Sequence, residues 1–154
     1  MRIVIASSNP GKLKEIADIL PTGLEAIPQS TLGVPDVEET GKTFIENALI
    51  KARNASLHSN LPALADDSGL EVDYLGGSPG VYSARYAGPD ATDVENIDKL
   101  LHQLEDVTGQ DRSARFHCAI ALFHNADDPH PIICEGSWEG LIQSQPTGDY
   151  GFGY

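Results

Sequence analysis

The most constraining feature of the chain is how it starts. Arg2 to Ala6 is a short run rich in β-branched and apolar residues, and it leads straight into Ser7-Ser8-Asn9-Pro10-Gly11-Lys12. Such a run reads as a buried strand. Asn9 is a good N-cap and Pro10 suits the first helical position, where its missing N–H costs nothing. Leu13, Ile16, Ala17 and Leu20 then recur on one helical face. A buried strand that passes at once into an amphipathic helix is the opening of an α/β fold.

The same grammar recurs downstream. Thr43 and Glu46 form a capping-box pattern, followed by Phe44, Ala48, Ala52 and Ala55 at helical spacing. Leu61–Ala65 reads as a short buried strand and Leu70–Leu75 as another, with the acidic turn Asp66-Asp67-Ser68-Gly69 between them. Gly76 to Gly88 is a glycine-rich loop with a short apolar island. Thr92 and Glu95 form a second capping box, opening a helix with Ile97, Leu100, Leu101 and Leu104 inward. Phe116, Cys118, Ile120 and Leu122 alternate with a second set, and Ile132 to Leu141 supplies a partner strand. The turn residues Asn125 to Pro131 between them predict a long-loop antiparallel hairpin. Alternating strands and helices followed by a hairpin predict an α/β domain with a mixed sheet. Strand order is not legible in this pattern.

A length of 154 residues fits one domain, 1–154, without repeat, low-complexity tract or linker. With 23 acidic and 10 basic side chains the formal charge is −13. That surplus repels a polyphosphate backbone and argues against a nucleic-acid polymer as partner. It leaves room for a small anion held by a few local donors and a divalent cation. The N-terminus lacks a signal-peptide pattern, and no segment approaches the roughly 18 consecutive apolar residues of a membrane helix. The expectation is a cytoplasmic protein without a membrane partner. Cys118 and Cys134 lie in apolar stretches without metal-type spacing and read as two buried thiols.

Three segments carry candidate chemistry. Ser7 to Lys12 combines a helix N-terminus, hydroxyls, a glycine that permits close approach and a mobile positive charge, the parts of an anion site. It is not a Walker A loop, and the same residues also suit an ordinary capped helix with a surface lysine. Asp66 and Asp67 follow an apolar strand, where α/β proteins place reactive groups. Adjacent strand residues face opposite ways, so the two aspartates serve different roles, although a solvated Asx turn has the same composition. The acidic cluster Asp36, Glu38 and Glu39 precedes a helix carrying Lys51. Brought near Asp67 it could hold Mg²⁺, but a solvated loop and a snorkelling lysine account for the same residues.

Taken together, the blocks ASSNPGK, EETGKTFIENALIKA, ADDSGLEVDYLGGSPGVYSARYAG, RFHC and GDYGFGY resemble the inosine/xanthosine triphosphate pyrophosphatase family, in the family's order and across the whole chain. The resemblance implies a long twisted mixed β-sheet flanked by helices, with two lobes around a substrate cleft. It implies a Mg²⁺-dependent, homodimeric hydrolase that converts non-standard purine nucleotides (ITP, dITP, XTP) to the monophosphate and pyrophosphate, cleansing the nucleotide pool. Carried over by position, Ser7, Ser8, Asn9, Pro10, Gly11 and Lys12 form the triphosphate loop and Ser68 touches substrate; Lys51, read from its place on the helix after the acidic cluster, could also reach a phosphate. Asp67 matches the catalytic carboxylate and a metal ligand, Glu38 the other metal-associated carboxylate, and Phe152, Gly153 and Tyr154 the start of the segment that packs on the purine.

The family pattern continues beyond Gly-Phe-Gly-Tyr with an aspartate, a lysine and a Ser-His-Arg motif that reads the base, whereas this sequence ends at Tyr154. The expectation is a C-terminally truncated member that keeps the triphosphate chemistry and loses base-specific hydrogen bonds, the contacts that discriminate most strongly. A catalytically impaired nucleotide-binding or interaction remnant is the alternative expectation.

Overall fold

The structure is a computed structural model that describes residues 1–147. Its strands are β1 (Arg2–Ile5), β2 (Glu25–Pro28), β3 (Ala63–Val72), β4 (Ser113–Phe123) and β5 (Ile132–Leu141). Its helices are α1 (Pro10–Ile19), α2 (Phe44–Ser59) and α3 (Asp93–Gln103), with short 3₁₀ turns between elements. The five strands form one sheet in the order β2-β1-β3-β4-β5. β1 runs parallel to β2, with Arg2 opposite Glu25, and parallel to β3, with Val4 opposite Ala63. β4 and β5 are neighbours joined by residues 124–131. That connection is too short for a parallel crossover, so β5 returns antiparallel and the sheet is mixed, as expected.

The helix ends form as their residues dictate. The Asn9 side chain accepts from the backbone N–H groups of Gly11 and Lys12, which have no partner within the helix. Both capping boxes are complete, Thr43 with Glu46 on α2 and Thr92 with Glu95 on α3. α2 closes on Asn60, which takes the left-handed conformation at φ 53°.

Tertiary packing overrides the expected chain path in three places. The acidic turn between two strands does not exist: Ala63–Val72 is one strand running straight through Asp66-Asp67-Ser68-Gly69. Turn-prone residues tolerate extended geometry here because both carboxylates find lysines. The predicted strand Leu70–Leu75 correspondingly ends at Val72 and passes into a 3₁₀ turn. Cys134 is exposed and Cys118 half-buried. The buried-thiol expectation fails because every residue of β5 is exposed, so an apolar sequence there does not mean a covered one.

The described chain gathers into two compact units, one of Met1–Asp67 with Ala119–Glu135, the other of Ser68–Cys118 with the described residues from Gly136. In the first, Ile3, Ile5 and Ile16 form a core joined by Leu13, Leu20, Leu64 and Leu122. Ala48, Ala52 and Ala55 of α2 and Ala63 and Ala65 of β3 are fully buried, and small residues let a helix lie close to a sheet. In the second, Leu70, Val72, Leu100, Leu104, Val107 and Ala114 pack together. Arg112 braces that unit by donating to the carbonyls of Leu104, Val107, Ile142 and Gln143 at 2.6–3.0 Å. Along β4 the most buried side chains are Ala114, Ala119, Ala121 and Phe123, while Phe116 is exposed.

Candidate active site

The site lies in the first unit, where β1 and β3 run side by side. Backbone bonds Val4 N–H to Pro62 O and Ala6 N–H to Leu64 O, each 2.8 Å, set the register. They bring the end of β1, and therefore the first turn of α1, beside Asp66. Lys12, in that turn, donates from Nζ to Asp66 Oδ2 at 2.5 Å. Leu64 points to the α1 side and packs in the Ile16 cluster. Asp66, two residues on, shares its face by strand alternation.

Asp67 faces the other way, towards α2. Lys51 Nζ lies 3.0 Å from Asp67 Oδ1 and 2.8 Å from Glu39 Oε1. Asn47 Nδ2 donates to Asp67 Oδ2 at 3.1 Å. Glu39 sits on the segment before α2, which is anchored by Gln29 Nε2 to Asp36 Oδ1 and by Asn54 Nδ2 to the Pro35 carbonyl, both 2.8 Å. Two adjacent carboxylates on one strand thus meet two lysines from two helices. Among the described residues no buried side-chain N or O lacks a hydrogen-bond partner.

Charge explains the electrostatics. Glu39, Lys51 and Asp67 together carry one negative charge more than they neutralise. Burial is the largest influence on Asp67 and pushes its carboxyl up; Lys51 and Asn47 pull it down, Glu39 pushes it up, and the net position is above the ordinary aspartate value. Burial also opposes the charge on Lys51, but attraction from Asp67 and Glu39 outweighs it and holds the ammonium above the ordinary lysine value. The two shifts differ in their consequence because Lys51 has two counter-charges and Asp67 only one.

The donor set suits a hard divalent cation. Glu39 and Asp67 converge on one ammonium, a point of positive charge already bound between two hard oxygen ligands. Among the described residues no three His, Cys, Asp or Glu side chains form a metal cage. Mg²⁺ needs none, since it is usually held by one or two carboxylates with the rest of its shell from water and phosphate.

Not every expected residue falls in this cluster. Lys12, Lys51 and Asp67 do. Glu38 is exposed, and its carbonyl accepts from the Thr40 N–H at 3.1 Å; its neighbour Glu39 is the acid on Lys51. Ser7 is half-buried and accepts the Asn9 N–H, whereas Ser8, Asn9 and Pro10 are exposed. The N–H groups of Gly11 and Lys12, expected to face an anion, are taken by Asn9. Ser68 follows on β3, half-buried, within the second unit. Phe152, Gly153 and Tyr154 lie outside the described residues. Sequence reasoning passed over Asn47, whose only local signal was a polar residue on the alanine-rich face of α2, and gave Asp66 no partner.

The unit is a parallel-stranded α/β fold with lysine–carboxylate contacts on both faces of one strand, beside a capped strand-to-helix turn. The Ham1 family profile matches residues 3–154. The dITP/XTP pyrophosphatase of Vibrio cholerae serotype O1 is 56% identical over 154 residues, 99% of this chain and 77% of that protein. Its counterpart in Escherichia coli O157:H7 is 54% identical over 99% of this chain and 78% of its own length. Among solved structures, a HAM1 protein from Coxiella burnetii superimposes with a TM-score of 0.92 at 54% identity, covering 100% of this chain and 79% of the other. The Staphylococcus aureus Ham1 protein does so at 0.87 and 43%, covering 100% and 78%. The chain belongs to the Ham1 family.

Proposed function

We propose that the protein is a nucleoside triphosphate pyrophosphatase that hydrolyses dITP, ITP and XTP to the monophosphate and pyrophosphate, removing non-standard purines from the nucleotide pool. The observation that carries this reading is the Glu39–Lys51–Asp67 cluster, set one strand residue from the Lys12–Asp66 pair. The relatives named for dITP/XTP pyrophosphatase activity support it by their similarity over the whole chain.

The chemistry follows from the residues. Water is a poor nucleophile towards an anionic phosphoryl group, so the site must neutralise charge and orient attack. Asp67, held by hydrogen bonds on both oxygens and raised by burial, is the base that takes the proton of the attacking water. As the water oxygen bonds to the α-phosphorus, the bond from that phosphorus to the α–β bridging oxygen breaks and pyrophosphate leaves with the electron pair. Lys12 and Lys51 hold the negative charge that develops on it. Mg²⁺, when bound, supplies Lewis-acid charge neutralisation of the phosphate oxygens. Glu39 and Asp67 are the residues that would hold it, with Glu38, next along the chain, the carboxylate that the family resemblance points to. The reading extends to Ser7–Lys12 and Ser68 as contacts to the triphosphate, to Phe152–Tyr154 as contacts to the base, and to a cytoplasmic homodimer. Among the described residues no helix is long and apolar enough to cross a membrane.

The test is pyrophosphate release from dITP, ITP, XTP and ATP with Mg²⁺, for the parent and for Asp67→Asn. Release from the first three and little from ATP, abolished in a folded Asp67→Asn, is the expected result. No release by a folded parent chain would overturn the activity.

A further inference from the structure

We propose that Asn47 is the positioning residue for Asp67, and that residue 41 is glycine because the Asn47 amide and the start of α2 together occupy the space a side chain would need. Asn47 is on the first turn of α2 and is fully buried, an unusual place for a carboxamide. Its Oδ1 accepts from the Gly41 N–H at 2.8 Å. A backbone N–H can only donate, so the oxygen must face Gly41 and the NH₂ must face Asp67. Nδ2 then lies 3.1 Å from Asp67 Oδ2, while Lys51 holds Oδ1 at 3.0 Å. With a donor on each oxygen, the plane of the Asp67 carboxylate is set and not only its location.

Gly41 shows that this arrangement excludes alternatives. A β-carbon at residue 41 would meet Asn47 Oδ1 at 2.6 Å, Glu46 Cβ at 2.7 Å and the Asn47 nitrogen at 2.9 Å. The last two belong to the capped helix end and cannot swing away. Gly41 is also two residues beyond Glu39, whose carboxylate meets Lys51. The Asn47 amide is therefore a strut between the segment bearing one carboxylate of the cluster and the strand bearing the other. This inference rests on Asp67 being the reacting carboxylate.

The strut makes a coupled prediction, tested on the full chain with dITP and Mg²⁺. Asn47→Ala lowers kcat by about 10²-fold, the cost of misplacing a reacting group by about 1 Å. KM, and the affinity for inorganic pyrophosphate by calorimetry, stay within about threefold, because the phosphate-binding lysines are untouched. Gly41→Ala, which pushes the amide aside without deleting it, moves kcat the same way. The double variant is no slower than Asn47→Ala alone, since with the Asp67 contact already deleted a displacement at residue 41 has no amide left to misplace; independent effects would multiply instead. The Gly41 amide proton loses its protection from exchange in Asn47→Ala. Should Asn47→Ala not fold, Asn47→Ser, too short to reach Asp67, carries the same test. A kcat within about twofold of the parent, a loss confined to KM, or multiplicative single effects overturns the proposal. Turnover retained by Asp67→Asn instead overturns the role of Asp67 itself; an inactive Asp67→Asn with parental kcat in Asn47→Ala overturns the strut alone.

Discussion

Lys51 and Asp67 meet at 3.0 Å across the interface between α2 and β3, and the same ammonium holds Glu39 at 2.8 Å. One cation thus serves two carboxylates in a largely buried setting. Each carboxylate in the arrangement therefore depends on that cation.

Lys51→Met removes the ammonium that Glu39 and Asp67 share. Breaking a buried ion pair by deleting one partner costs about 3–5 kcal/mol, and partial exposure places this case near the lower end. The expected outcome is a large fall in the denaturation midpoint, partly reversed by Mg²⁺, with a greater Mg²⁺-dependent rise in Tm than the parent shows. An equal response to Mg²⁺ in parent and variant would mean that the ion does not sit between these carboxylates.

The Asp67 carboxyl titrates above the ordinary value of about 3.9 in the metal-free protein. Its sign is the reverse of a salt-bridged surface aspartate. The native state holds this proton more tightly than the unfolded chain, so the contribution to stability is fully present below about pH 3.9. It declines as pH rises through the native midpoint. Glu39→Gln removes a neighbouring negative charge, which lowers the midpoint, and carboxyl-detected NMR titration of both proteins reads the difference directly. An unchanged midpoint would show that Glu39 exerts no influence on Asp67.

Asp66→Asn keeps a short polar group beside Lys12 but removes the charge that holds its ammonium at 2.5 Å. Under the proposed role of Lys12, that charge holds the ammonium in place for the triphosphate. KM for dITP is expected to rise about tenfold, the effect of roughly 1.4 kcal/mol, with a smaller change in kcat. Steady-state kinetics with an unaltered KM would assign Asp66 to folding alone.

Thr43→Ala opens the capping box that starts α2, in which Thr43 Oγ1 accepts from Glu46 N–H at 3.2 Å and Glu46 reaches back to Thr43 N–H at 3.2 Å. A lost N-cap costs about 1 kcal/mol. Because Asn47 and Lys51 sit within the first turns of the same helix, kcat is expected to fall with stability, measurable by urea denaturation alongside turnover. A loss of stability with parental kcat would show that later turns of α2 are enough to hold the site.

Local rules written in a few adjacent residues were legible before the fold was known. Asn9-Pro10, Thr43 with Glu46, and Thr92 with Glu95 each predict a helix start, and each helix begins there. The mixed sheet and the hairpin follow from strand and turn composition for the same reason. The short strand β2 (Glu25–Pro28) carried no such signal; it is a strand because β1 offers a free edge beside it. Asp66-Asp67-Ser68-Gly69 went the other way, since its turn-forming composition is real but yields to two lysines supplied from helices 54 and 16 residues distant.

Legible in the sequence are the three helix starts with their caps, the hairpin and the family resemblance, because these depend on neighbours within a turn or on ordered blocks of residues. Tertiary structure alone decided the partners: Asp66 with Lys12, Asp67 with Lys51 and Asn47, and Glu39 as the acid that meets the lysine. The physical reason is the reach of the forces involved. Capping and periodicity act over three or four residues, whereas a buried charge must find its counter-charge wherever the packed chain delivers one, and only the assembled sheet and helices specify that place.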